Sequence, residues 1–338
     1  MARALDPTSA APAASALFAL GFLSTQALLP LLSKALRKKG IVGEDVHKPG
    51  RPLLPEMCGL AVPISMTICT LALIPFSGPQ AASPALALLG AALISAIIGA
   101  RDDLKPMGPR LKPLLLTSAA IPILALRAYS PFPSLPFIGR VRLTLVYPLA
   151  IPLGISVTAN AVNMMDVFNG SMTGTCSIIL ATMALLLSLS GKWDLVPLPL
   201  ALLGSLLALH RLNRYPAKVF IGDVGDLCVG ASIGALAIIG GIEVPTAVAM
   251  MPHIMNAFYG LSSMGGLYER RQAKRRPVRL EADGRLAATS EKAAPITLAR
   301  IILADGPLRE WEVVKAMAAL TTISSALAIL TFAALIPR

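Results

Sequence analysis

Ten apolar runs recur along the chain, at about 14–33, 57–76, 83–100, 112–129, 143–162, 170–190, 195–210, 226–242, 244–264 and 313–335. Most are near the ~20 residues a helix needs to cross a bilayer. The pattern therefore predicts an all-α integral membrane protein, a single polytopic domain over 1–338. Pro122, Pro148 and Pro152 should kink their helices, which a bundle tolerates when neighbours satisfy the freed backbone groups. The eighth and ninth runs are separated by little more than Glu243 and Pro245, so that pair could be one broken helix. The segment from about 265 to 312 is too polar to span and is expected to be a loop. No internal repeat is visible.

Composition agrees with the pattern. With 55% hydrophobic residues, 14% charged residues and a mean hydropathy of +0.70, the chain lies well outside soluble averages. The N-terminal stretch lacks a convincing signal-peptide cleavage pattern, and the first run is long enough to remain as a span. Cys58, Cys69, Cys176 and Cys228 lie in or beside apolar runs without CxxC pairing, so they read as small buried hydrophobes rather than disulfides or zinc ligands.

The net charge of +12 resides in short loops: Lys34, Arg37, Lys38, Lys39, Lys48 and Arg51 after the first run, Arg101, Lys105, Arg110 and Lys112 after the third, Arg211, Arg214 and Lys218 after the seventh, and the 265–312 segment. All share one side, which the positive-inside rule makes cytoplasmic. Arg127, Arg140 and Arg142 are the exceptions on the other side, where both termini fall. This distribution argues against nucleic acid and for membrane lipid headgroups and phosphorylated substrates.

Polar clusters end three of the runs on that cytoplasmic side. They are RDDLKP with Asp102 and Asp103, NAVNMMDVFNG from Asn160 to Gly170, and PAKVFIGDVGDL with Asp223 between two glycines. Ionisable groups at a membrane edge mark sites. Carboxylates and carboxamides are hard oxygen donors suited to Mg2+, or Mn2+, rather than zinc. Nearby basic residues would neutralise phosphate, and the flanking glycines would admit it close to the backbone. The combination predicts phosphoryl chemistry at a membrane face, with one soluble and one lipid-borne substrate.

In order, DD, NxxN with a nearby Asp, and VFxGD resemble the polyprenyl-phosphate N-acetylhexosamine-1-phosphate transferases across nearly the whole chain. The loop DVHKPGRPLLPEMCG, the run PAKVFIGD and RRPVRL at 275–280 are most similar to the eukaryotic and archaeal branch, which uses UDP-GlcNAc and dolichyl phosphate in the first committed step of lipid-linked oligosaccharide synthesis for N-glycosylation. The bacterial phospho-MurNAc-pentapeptide translocase is a more distant match.

The resemblance implies Asn163 and Asp223 as magnesium ligands, Asp102 and Asp103 as the catalytic aspartates, and Lys112 on the acceptor phosphate. It implies Val46, Glu56 and Phe220 at the uridine, Asn169 close to the nucleoside, and Lys274, Arg275 and Arg276 at the pyrophosphate and sugar. Val167 replaces an expected glycine, and Lys274 and Arg275 replace an arginine and a histidine, which leaves another UDP-N-acetylhexosamine or an undecaprenyl-phosphate acceptor open. A homodimer is implied only by the resemblance, and an archaeal cell membrane or an endoplasmic reticulum would both suit.

Plainer roles compete. Asp223 could be a helix N-cap, Asp102 and Asp103 a membrane exit, and Asn160 an interhelical hydrogen bonder. His253 reads as packed and neutral, and His47 and His210 as surface or interface groups. A secondary transporter would place its polar groups at mid-depth in inverted repeats, unlike these span-end clusters.

Overall fold

The computed structural model describes residues 7–76, 79–136, 138–266 and 276–335. Its helices are α1 (Pro7–Lys38), α2 (Ala61–Leu73), α3 (Pro79–Leu104), α4 (Leu111–Leu116), α5 (Ile121–Ala125), α6 (Val146–Met165), α7 (Ser171–Leu189), α8 (Pro197–Asn213), α9 (Asp223–Gly240), α10 (Glu243–Ala249), α11 (Met251–Ser263), α12 (Leu298–Ile302) and α13 (Glu310–Leu335). Seven segments are long and apolar enough to cross a membrane. The shorter apolar stretches Cys58–Leu73 and Leu111–Ala125 and the α10–α11 pair stand where the remaining predicted runs do, so the described residues reproduce all ten.

Pro148 and Pro152 lie within the continuous helix α6. Pro122 opens α5 after a turn of tighter helix, breaking the fourth run. The eighth and ninth runs are not one broken helix: α9 ends at Gly240, and Gly241 caps it in the left-handed region (φ +59°). The break falls instead inside the ninth run, at Met250, just before Pro252 in the first turn of α11.

The bundle is organised around α9, which is buried along almost its entire length and packs against α3, α6 and α2. Elsewhere α1 lies along α8, and α13 packs on α7 and α10. Outward-facing positions are apolar too. Leu145, Leu149 and Leu153, four residues apart at the start of α6, are 84%, 78% and 65% exposed. In water such a stripe would be a liability, whereas hydrocarbon requires it.

Close approach of two helices sets the site. A Cβ at Gly99 on α3 would stand 2.3 Å from the Asp223 carbonyl oxygen, so only glycine lets the end of α3 rest on the start of α9. Asp102 and Asp103, on the next turn of α3, are thereby brought to Asp223.

Three short antiparallel hairpins decorate the ends: β1 (Val42–Glu44) with β2 (Leu53–Pro55), β3 (Ser134–Leu135) with β4 (Gly139–Arg140), and β5 (Val278–Leu280) with β6 (Leu286–Ala288). The chain after β2 is stitched to the segment before α9 by backbone bonds from Phe220 to Pro55 (2.8 Å), Cys58 to Phe220 (3.0 Å) and Gly59 to Ile221 (2.9 Å). Glu56 and Phe220 are thus fixed side by side.

The described part of the 265–312 segment has its own small core, in which Val278, Leu286, Leu298 and Leu303 pack on Met165 and Phe168 and on Val313 and Met317 of α13. Asn256 ties it down, accepting from Leu298 N–H at 2.9 Å and donating to the Met164 carbonyl at 2.9 Å.

Candidate active site

The chain ends of α3, α6, α8 and α11 and the starts of α4, α7, α9 and α13 lie at the same end of the bundle, because the spans alternate in direction. A cleft of about 470 Å3 opens there. Asp102, Asp103, Lys112, Asn163 and Asp223 border it, as do Val46, Glu56, Asn169, Phe220 and Arg276. Lys274 and Arg275 lie outside the described residues.

At its floor, the Lys112 ammonium bonds Asp102 Oδ2 at 3.0 Å, Asn163 Oδ1 at 3.4 Å and Asp223 Oδ2. Asn163 Nδ2 donates to Asp223 Oδ1 at 2.7 Å and to Asp226 Oδ2 at 3.4 Å. With its nitrogen committed to carboxylates, the amide turns its oxygen toward the ammonium.

The two aspartates of α3 have separate tasks. Asp102 is held between Lys112 and the Met107 N–H. Asp103 accepts the N–H of Asp223 at 2.9 Å and of Val224 at 3.0 Å, satisfying two donors that the start of α9 leaves open. The helix-capping part considered for Asp223 therefore belongs to Asp103, from another helix. Gly222 makes this possible: at φ +76°, a Cβ there would stand 2.7 Å from Asp103 Oδ2.

On the upper wall, strand β1 passes beneath the half-buried Phe220, where a Cβ at Gly43 would stand 3.0 Å from the ring. One face of Phe220 is covered by this strand, and the residue borders the cleft. Asn169 borders the same space, but its polar atoms are engaged. Its Oδ1 accepts from Lys48 Nζ (2.7 Å) and Ala217 N–H (3.0 Å), while Nδ2 donates to Asp45 (3.2 Å). Glu310, at the start of α13, takes Lys48 Nζ at 2.6 Å and the Asn169 N–H at 2.8 Å. Asp45, Lys48, Asn169, Ala217 and Glu310 form one network joining three loops to α13.

Several neighbours were not read as site residues from sequence. His47 borders the cleft rather than lying at the surface, its ring tilted on Phe168 with centroids 5.0 Å apart. Asp45, Asp166, Asp226 and Asn256 also line it. Asp226 is three residues after the aspartate of the GD motif within the same run and was legible as a further acid, and Asp45 opens the loop DVHKPGRPLLPEMCG; Glu310 carried no sequence signal. Among the described residues the Asn160 amide donates within its own helix, to Ser156 O at 2.7 Å, rather than across to another. His253 is packed beside Thr175, 3.0 Å away, and His210 is bonded to Thr173 between α7 and α8 at 2.7 Å.

The charge balance is informative. Among the described residues, Glu44, Asp45, Glu56, Asp102, Asp103, Asp166, Asp223 and Asp226 border the cleft, against the fixed cations Lys112 and Arg276. A phosphorylated ligand would be repelled from such a floor unless further cations accompanied it. The described residues include no group of three His, Cys, Asp or Glu side chains at metal-binding spacing. The oxygen donors are instead two carboxylates and a carboxamide gathered around an ammonium, a set whose chemistry suits a hard divalent cation.

Residues 85–241 match the glycosyl transferase family 4 model. A protein of Methanocaldococcus jannaschii named as a glycosyltransferase is 33% identical over 283 residues, 83% of this chain and 85% of its own. A Saccharolobus solfataricus protein named as a UDP-N-acetylglucosamine–dolichyl-phosphate N-acetylglucosaminephosphotransferase is 26% identical over 87% of this chain and 89% of its own. A Bacillus subtilis protein named as an undecaprenyl-phosphate N-acetylglucosaminyl 1-phosphate transferase is 30% identical over 66% of this chain and 62% of its own. The chain belongs to glycosyl transferase family 4.

Proposed function

We propose that this family 4 member transfers N-acetylglucosamine 1-phosphate from UDP-GlcNAc to a polyprenyl phosphate of the dolichyl type, at the cytoplasmic face of the membrane. The observation that carries the reading is the floor of the cleft, where Lys112 is shared by Asp102, Asn163 and Asp223 at the end of an apolar bundle. The archaeal relative's name supports the donor and acceptor. The bacterial relative's name keeps undecaprenyl phosphate as the second acceptor.

In this reading the acceptor's phosphate oxygen attacks the β-phosphorus of UDP-GlcNAc in line. The new P–O bond forms as the bridging P–O bond breaks, and UMP leaves. Lys112 neutralises and orients the acceptor phosphate, Arg276 clamps the donor pyrophosphate, and Phe220 stacks on uracil. Both Asp102 oxygens are already held, by Lys112 and by the Met107 N–H, which favours direct displacement over a phospho-aspartate. Asp103 positions Asp223 by fixing the start of α9. Asn163 and Asp223 would hold Mg2+ or Mn2+. A divalent cation bound there would supply charge neutralisation for the pyrophosphate and the departing UMP.

The test is incubation of the purified protein with radiolabelled UDP-GlcNAc and dolichyl or undecaprenyl phosphate, with magnesium or with EDTA, followed by lipid extraction. Label should enter the organic phase with dolichyl phosphate and magnesium. Label that stays aqueous with both acceptors would refute the transfer, and undiminished transfer in EDTA would remove the cation.

A further inference from the structure

Asp226 has no part in the proposed chemistry above, yet its surroundings are those of a ligand. It lies one turn after Asp223, so the two carboxylates project from neighbouring positions of the first turn of α9, where the helix N-terminus favours negative charge. The residue is 3% exposed and borders the cleft. Its Oδ2 accepts from Asn163 Nδ2 at 3.4 Å, the same amide that donates to Asp223 Oδ1 at 2.7 Å. Its Oδ1 is buried and, among the described residues, has no hydrogen-bond partner.

A carboxylate at that depth with one oxygen unmatched is strongly disfavoured unless a cation faces it. Lys112 does not fill this role, because its ammonium is bonded to Asp102, Asp223 and Asn163. We propose that Asp226 is a third oxygen donor to the divalent cation held by Asn163 and Asp223, which deepens the reading above and rests on it. The three side chains are linked through one amide, and that amide presents its oxygen toward the ammonium shared by Asp102 and Asp223. With two anionic donors and one neutral donor from the protein, the site binds the cation before the nucleotide arrives, rather than relying on the pyrophosphate to complete a weak two-residue shell.

The experiment is a Mn2+ titration of the full chain in detergent without nucleotide, followed by the loss of the free-ion electron paramagnetic resonance signal. Wild type is compared with Asp223→Asn, Asp226→Asn, Asp226→Ser and Asp226→Ala. An asparagine at 226 can still accept from Asn163, so the orientation of that amide is kept and the carboxylate alone is lost. Asp226→Asn and Asp226→Ser should each weaken Mn2+ binding at least tenfold while the protein stays monodisperse.

Wild-type affinity in Asp226→Asn, with loss confined to Asp223→Asn, would remove Asp226 from the shell and leave the proposed function standing. Normal affinity in Asp226→Asn but loss in Asp226→Ala would also overturn the proposal, reducing Asp226 to a support for Asn163. The function itself fails on a different result, namely no Mn2+ binding by wild type together with no lipid labelling.

Discussion

Lys112→Ala should expose a competition between a tethered cation and a free one. The ammonium bonds two carboxylates, and the side chains are 12% exposed for Lys112, 5% for Asp102 and 17% for Asp223. Removing one partner of a buried ion pair costs roughly 3–5 kcal/mol, because the other charge is left uncompensated. Partial access to water at Asp223 places the expected loss at about 3 kcal/mol. At about 2 °C per kcal/mol for a chain of a few hundred residues, the apparent melting temperature should fall by roughly 6 °C.

A divalent cation then has the same carboxylates to itself. At a hundredfold excess over its dissociation constant it would recover about 2.7 kcal/mol. In wild type it must first displace the ammonium, so magnesium should raise the melting temperature of Lys112→Ala by clearly more than that of wild type. Trp193 and Trp311 provide an intrinsic fluorescence readout for the unfolding. Lipid labelling should fall by about 10²-fold or more as the acceptor phosphate loses its positive partner, while UDP-GlcNAc binding stays close to wild type. Equal magnesium shifts in the two proteins would refute the competition, and lost nucleotide affinity would mean the two phosphate sites have been exchanged.

Asp223→Asn should abolish transfer, since a cation ligand is lost while the Asp103 cap on the backbone is untouched; retained turnover at ordinary magnesium would sink the ligand assignment. Asp103→Ala should cost about 1–2 kcal/mol of stability and lower turnover, with Asp103→Asn closer to wild type because asparagine still caps, as thermal melts and lipid labelling would show. Lys48→Met should destabilise by roughly 3–5 kcal/mol, because Asp45 and Glu310 stay buried without their ammonium, and the double change with Glu310→Gln should recover part of the loss in a thermal melt. Arg276→Lys should weaken UDP-GlcNAc binding more than lipid-phosphate use, since a lysine cannot grip pyrophosphate with two parallel bonds. Donor binding should likewise protect the 265–312 segment from protease, and equal digestion with and without UDP-GlcNAc would leave that segment as an orientation signal only.

The sequence by itself determined the membrane class, the ten apolar segments and the placing of every polar break at one end, because run length and alternation are local properties that the bilayer reads directly. It also identified Asp102, Asp103, Asn163, Asn169, Phe220 and Asp223, which border the cleft, through three motifs each confined to a dozen positions. What it left open depended on contacts through space. Asp102 and Asp103 are adjacent in the chain and look equivalent there, yet α9 accepts one as its cap and leaves the other to Lys112, a division made by the contact at Gly99. Asn169 read as a nucleoside neighbour, and only the fold showed it bonded to Lys48, Asp45 and Glu310, the last from a helix 141 residues away. His47 and Asp226 joined the site for the same reason: a side chain's partners are set by which helix ends meet, and burial then decides which of those partners it must keep.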